Sequence, residues 1–206
     1  MPLSELSRTA QDYLKVVWSA TEWVPGPVTV TQLAERMGVR TATASDTVRR
    51  LAEVGLLAHE PYGGVELTAK GREHALGMVR RHRILETFLV DTLGYSWDEV
   101  HDEAEHLEHA VSDTLVDRID ALLGHPSRDP HGDPIPSKDG SAHRPSAMLL
   151  ADAPAGVPLT VERISDADPA VLRELGRRGI RPGTVLAAPA ELGAAAAQAI
   201  WVSTAN

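Results

Sequence analysis

At 206 residues, 43% apolar and 24% charged, the chain has the composition of an ordinary globular protein and the length for one medium domain or two to three small ones. It contains no cysteine, which excludes disulfides, zinc fingers, thiolate catalysis and iron–sulfur clusters. The net charge of −9 is unevenly placed: residues 1–83 carry 11 Lys/Arg against 9 Asp/Glu, and residues 84–206 carry 9 against 20, so a mildly basic front precedes a strongly acidic back. No basic-then-apolar leader opens the sequence and no run approaches the roughly 18 apolar residues of a membrane span, so the expectation is a cytoplasmic protein with no membrane partner.

The first predicted element covers residues 7–20, where Tyr13, Leu14, Val17 and Trp18 recur at helical spacing behind a candidate N-cap, Ser7. The run Val24-Pro-Gly-Pro27 breaks it. A second short helix starts at Thr31 and stops at Gly38; a third runs from about Thr41 to Glu53, with Ala44, Val48, Leu51 and Ala52 on its apolar side and Gly55 at its end. Two extended runs, Leu56–Glu60 and Val65–Thr68, flank Pro61-Tyr-Gly-Gly64 as a β-hairpin. Helix, helix, turn, helix and hairpin is the order of a winged helix-turn-helix, although an unrelated small α+β domain can share it.

A long helix is predicted over residues 69–92 and another over 97–123, both richer in apolar residues than one buried stripe requires, which points to a helix–helix dimer interface. Ser127–Arg144, dense in Pro, Gly, Asp and Ser, reads as a linker. The remainder mixes short β-like runs (Leu159–Ile164, Thr184–Ala187, Ile200–Ser203) with a helix near Pro169–Arg178. The fold class is therefore mainly α: a winged helix-turn-helix over 1–73, a helical metal-binding and dimerisation domain over 74–140, and a small β-containing module over 148–206.

The stretch His101–His109, HDEAEHLEH, packs three histidines and four carboxylates into nine residues. On a helix Glu105, Glu108 and His109 share a face, with His101 one turn before Glu105; His82 and Glu86 form an i, i+4 pair on the preceding helix. Such acidic faces are often merely solvated. Two of them on consecutive helices of a DNA-binding protein point instead to a cation site. The donors are all carboxylate oxygen or imidazole nitrogen, which suits Mn²⁺ better than softer metals. A zinc hydrolase is disfavoured, since Glu-x-x-Glu-His at 105–109 matches neither zinc-peptidase pattern.

Taken in order, RTAQDYLKVVW, the helix-turn-helix, VRRHRILETFL, VHDEAEHLEHAVSD and SRDPHGDPIP resemble the diphtheria toxin repressor and manganese transport regulator family, closely over about residues 7–138. The last module resembles the SH3-like third domain of longer members, abbreviated between Thr184–Ala187 and Ile200–Ser203. The resemblance implies a primary metal site of Asp12, Glu105, Glu108 and His109. Iron-type members carry methionine and cysteine where Asp12 and Glu105 stand, so oxygen at both marks a manganese-type member. It implies a second site of His82, Glu86 and His101 completed by Asp166, with Asp168 as the fallback. Lys15 stands where some manganese regulators place a further acid, so two separated Mn²⁺ sites are expected.

The same reading gives a homodimer on palindromic operator DNA, with no small-molecule substrate. The third helix enters the major groove: Arg40, Thr41, Thr43, Ser45 and Thr47 lie on its exposed N-terminal side, Ala42 or Ala44 meets a thymine methyl, and Arg49 and Arg50 lie near phosphates. Asp46 of the same helix and Tyr62 of the wing, Pro61–Gly64, complete the expected set. Metal joining Asp12 to the other primary ligands would fix the DNA-competent geometry and repress manganese-uptake genes. Two other readings stay open: an iron-responsive repressor of the same family, and a winged-helix protein used for protein interaction or metal buffering.

Overall fold

The computed structural model describes residues 5–24, 26–59, 63–154, 156–186 and 192–204. It is mainly helical with small antiparallel sheets. The chain forms two compact units: Met1–Arg80 with Pro136–Gly140, and Arg81–Ile135 with Ser141–Asn206.

In the first unit α1 (Arg8–Glu22) starts where Ser7 accepts a hydrogen bond from the Ala10 amide, and it turns Tyr13, Leu14, Val17 and Trp18 into the core. Leu14 and Val17 each contribute about 1.5–3 kcal/mol by leaving water. The second helix, α2 (Val30–Arg36), begins one residue before Thr31 because Thr29 and Gln32 form a capping box, each side chain accepting from the other's backbone amide. Gly38, at φ +63°, makes the turn into α3 (Thr41–Glu53). Strands β1 (Leu57–His59) and β2 (Val65–Leu67) pair antiparallel, Leu57 opposite Leu67, and the Val65 amide also donates to the Val28 carbonyl.

Thr68 joins the hairpin to α4 (Ala69–Asp91): its hydroxyl donates to the Gly55 carbonyl and accepts from the Gly71 amide. Gly71 is obligatory at this junction, since a Cβ there would fall onto the Leu56 carbonyl oxygen.

The second unit holds two hydrophobic clusters. One, built on Ile84, Leu85, Leu89, Val100, Ala104, Val116 and Ile119, joins α4 to α5 (Val100–Glu108) and α6 (Asp113–Leu122). The single helix expected over 97–123 is thus two: Ser112 adopts an extended conformation and its side chain caps α6 by accepting from the Leu115 amide, which ends the first helix at Glu108.

The other cluster underlies a sheet of order β3-β6-β4-β5, formed by β3 (Met148–Leu149), β4 (Leu159–Ile164), β5 (Val185–Leu186) and β6 (Ile200–Thr204). Helices α7 (Pro169–Arg177) and α8 (Gly193–Ala199) accompany it. Neither β3 nor α8 is among the elements expected from the sequence.

The linker expected over Ser127–Arg144 is corrected in its first half. Asp129, His131 and Asp133 are buried, and the Asp129 carboxylate accepts from the amides of both His131 and Asp133, each at 2.9 Å. The Ile164 amide donates to the His131 carbonyl, and Gly132 packs so closely on β4 that a Cβ would strike the Glu162 carbonyl oxygen. Pro, Gly and Asp mark a turn here, and its polar side chains point inward rather than into solvent.

Candidate metal centre and nucleic-acid interface

The residues expected to contact DNA lie in the first unit. On α3 and its N-cap, Arg40, Thr41, Ala42, Thr43, Ser45, Asp46, Arg49 and Arg50 are exposed. Of the two alanines expected to offer a thymine methyl contact, Ala44 is fully buried in the cluster of Val48 and Leu51, which leaves Ala42. Thr47, expected on the exposed side, is 6% exposed, its hydroxyl donating to the Thr43 carbonyl and accepting from Arg50. One turn of helix separates Thr43 from Thr47, but the helix faces the core at the second position. Arg49 lies 2.9 Å from Asp46, so the acid restrains a cation on this face. Tyr62 and the neighbouring tip residues Glu60 and Pro61 lie outside the described residues.

The titratable cluster belongs to the second unit. Glu86 lies at its centre, 1% exposed, with His82 Nε2 at 3.1 Å, His101 Nδ1 at 3.4 Å and His131 Nδ1 at 3.8 Å from its oxygens. His101 Nδ1 is also 2.9 Å from Asp166 Oδ2, whereas Asp168 caps α7 by accepting from the Ala170 amide. His82, Glu86, His101 and Asp166 thus present one donor atom each within 4.8 Å of one another. Asp129 and His131, missed because their loop reads as a linker, form a like group with Glu86.

Of the residues assigned to the other site, Glu108 is fully buried, 2.6 Å from His82 Nδ1 and 3.6 Å from His109 Nε2. Glu105 is exposed, 3.7 Å from His101 Nε2. Asp12 is half-buried on α1 of the first unit. His82 therefore touches both Glu86 and Glu108, which the sequence reading divided between two sites.

The charge distribution in this cluster suits a cation. Burial alone would push the Glu86 carboxyl up, but the charge on His82 and contacts with His101 and His131 hold it well below its ordinary value. Burial likewise lowers His101, yet the Asp166 and Glu86 carboxylates carry it up to about 11. His131 rises to about 10 against its own burial, because Glu86 and Asp129 surround it. Burial, then Asp133 and Glu86, push the Asp129 carboxyl up to about 8.

Glu86 Oε1, His101 Nδ1 and His131 Nδ1 are buried with no hydrogen-bond partner; the short approach of Asp166 to His101 is not hydrogen-bonding in direction. Buried polar atoms that converge without a well-aligned hydrogen bond between them are costly unless a cation, a proton or a metal ion, occupies the space. The residues fit a divalent metal.

The family model described as iron dependent repressor, N-terminal DNA binding domain, matches residues 5–65, and that of its metal binding and dimerisation domain matches residues 68–137. The iron-dependent repressor IdeR of Mycobacterium leprae is 34% identical over 166 residues, 77% of this chain and 72% of that protein. The chain belongs to the iron-dependent repressor family. This is a family of DNA-binding transcriptional repressors rather than enzymes, and the chain is a metal-responsive repressor with a dimerisation domain.

The diphtheria toxin repressor of Corynebacterium diphtheriae is 31% identical over 173 residues, 84% of this chain and 72% of that protein. Among solved structures of the family, a manganese-dependent transcriptional repressor in complex with manganese is similar at 51% identity and TM-score 0.88, covering 95% of this chain and all of that one. The manganese regulator SloR is similar at 27% identity and TM-score 0.75, over 95% of this chain and 98% of that one. Residues 148–188 match the FeoA domain model, in agreement with an SH3-like C-terminal module. Among the described residues no helix is long and apolar enough to cross a membrane.

Proposed function

We propose that this repressor responds to manganese: Mn²⁺ binding raises the population of a homodimer competent for palindromic operator DNA and so represses manganese-uptake genes in the cytoplasm. The observation that carries the choice of metal is the donor set. Around Glu86 and Glu108 every candidate ligand is a carboxylate oxygen or an imidazole nitrogen, with no sulfur among them. Hard, oxygen-rich sites suit Mn²⁺, and cellular availability excludes tighter-binding zinc. The 51% identical structure is that of a manganese-dependent repressor, which supports the same choice.

His82, Glu86, His101 and Asp166 would hold one ion, with His131, grouped with Asp129, at the other Glu86 oxygen; Glu105, Glu108 and His109, with Asp12 added by the family resemblance, would hold the other. Bound metal supplies positive charge that neutralises these carboxylates. The chain's own residues do the rest: Arg40, Thr41, Ala42, Thr43 and Ser45 face the bases, Arg49 and Arg50 lie toward phosphates, and Asp46 restrains Arg49. Residues 1–73 read DNA, 74–140 bind metal and dimerise, and 148–206 lend Asp166.

Iron is the second reading, favoured by the iron-dependent relatives at 34–36% identity. Fluorescence anisotropy of chelator-stripped protein on a manganese-transporter promoter, with Mn²⁺ or Fe²⁺ added, separates the two. Tight binding with Mn²⁺ at concentrations where Fe²⁺ has no effect supports the proposal, and the reverse order supports iron.

A further inference from the structure

Resting on the reading of His131 as a metal-facing residue, the geometry points to Trp97 as a positioning residue for the metal centre, held in place by the end of α7. His131 is 1% exposed, and its Nε2 lies 2.7 Å from the Trp97 carbonyl oxygen. A carbonyl only accepts, so Nε2 carries a hydrogen. With that nitrogen committed, Nδ1 is the atom left to offer a lone pair once a metal displaces its proton, and it is the one turned toward Glu86 without a hydrogen-bond partner. A backbone carbonyl that fixes the far nitrogen of a liganding imidazole sets both ring orientation and tautomer.

The position of that carbonyl depends on how the Trp97 ring is held. The ring is stacked on His131, with centroids 5.9 Å apart and planes at 19°. The Arg181 guanidinium lies 4.6 Å from its centroid. Gly176, near the end of α7, approaches so closely that a Cβ would lie 3.1 Å from the indole Nε1. Trp97 is 3% exposed and belongs to the hydrophobic cluster of the C-terminal sheet, although it precedes α5 in sequence. The C-terminal module thus reaches the metal-facing histidine by a second route, distinct from the direct approach of Asp166 to His101.

Gly176→Ala separates positioning from mere packing. Alanine in place of glycine favours a helix, so the metal-free melting temperature should hold or rise. The new methyl displaces the indole by a few tenths of an ångström, and with it the carbonyl that orients His131. Mn²⁺ affinity of the full-length protein should then fall by about 10-fold, the lower end of what loss of an outer-shell partner costs. Trp97→Leu should weaken Mn²⁺ binding at least as much, with Trp97→Phe restoring part of it through the retained stack.

The spectroscopic signature is ¹⁵N NMR of Zn²⁺-loaded protein, where zinc serves as a diamagnetic probe. In wild type His131 should show a protonated Nε2 and a metal-bound Nδ1, and Gly176→Ala should weaken that pattern. Unchanged Mn²⁺ affinity and an unchanged His131 signature in Gly176→Ala and Trp97→Leu overturn the inference while leaving a manganese-dependent repressor intact. So does a wild-type His131 free of metal in a protein whose DNA binding still needs Mn²⁺. If wild-type DNA binding ignores metal altogether, the functional reading itself fails and takes this inference with it.

Discussion

Glu86 illustrates how individual side chains set the chemistry of this protein. Three imidazoles converge on one buried carboxylate, and in metal-free protein His101 and His131 keep their protons up to about 11 and about 10, against an ordinary 6.5. A group whose folded value is raised stabilises the fold fully below its unfolded value, and that contribution is lost as pH rises through the folded value. These histidines therefore help the metal-free protein most below about pH 6.5 and progressively less toward pH 10–11. Mn²⁺ competes with the same protons, so its binding releases them and strengthens as pH rises. The rise in melting temperature on adding Mn²⁺ should be larger at about pH 8.5 than at about pH 6.5; an equal or opposite trend in differential scanning calorimetry contradicts this assignment of the cluster.

Single substitutions test the two ligand sets. Glu105→Ala and Asp12→Ala should each lower the response of DNA binding to Mn²⁺ while leaving the metal-free melting curve in place. A response identical to wild type in both removes those residues from the proposed site. Arg49→Ala should weaken binding about equally across DNA sequences and reduce the slope of log affinity against log salt by about 1, the mark of a phosphate contact. A changed sequence preference with an unchanged slope would instead assign Arg49 to base readout.

At the scale of elements, the junction of hairpin and α4 carries a sharp prediction. Gly71→Ala puts a methyl onto the Leu56 carbonyl oxygen, so the backbone must move, at a cost of about 1–3 kcal/mol or more. Thermal unfolding should show a marked loss of stability. A melting temperature equal to wild type would mean the junction yields freely.

Elements whose signals are local were legible in the sequence. Ser7 capping α1, the apolar side of α3, the β1–β2 hairpin and β4 all follow from caps, periodicity and turn residues. The break at Ser112 was readable too, as Ser-Asp ahead of an apolar run, but the continuing apolar pattern on both sides masked it. Asp129 and His131 were not legible, because a Pro/Gly/Asp-rich stretch reads as a solvated linker until tertiary contacts bury it. Thr47 failed for a related reason: one turn of periodicity does not say where the exposed face ends. His82 was found by its spacing to Glu86, yet its bond to Glu108 comes from a different helix, and no sequence spacing encodes that.

For the whole molecule, the acidic back half and the basic front half suit separate tasks, cation binding and phosphate binding. Coupling between them is a difference in free energy, typically about 1–3 kcal/mol, or about 5- to 150-fold in DNA affinity. The most direct test is fluorescence anisotropy of the chelator-stripped full-length protein on manganese-transporter promoter DNA, titrated with and without Mn²⁺ at fixed salt. The account predicts promoter-specific binding that tightens within that range when Mn²⁺ is added and reverts on chelation. Equal affinity with and without metal would contradict it and make the histidine–carboxylate cluster purely structural.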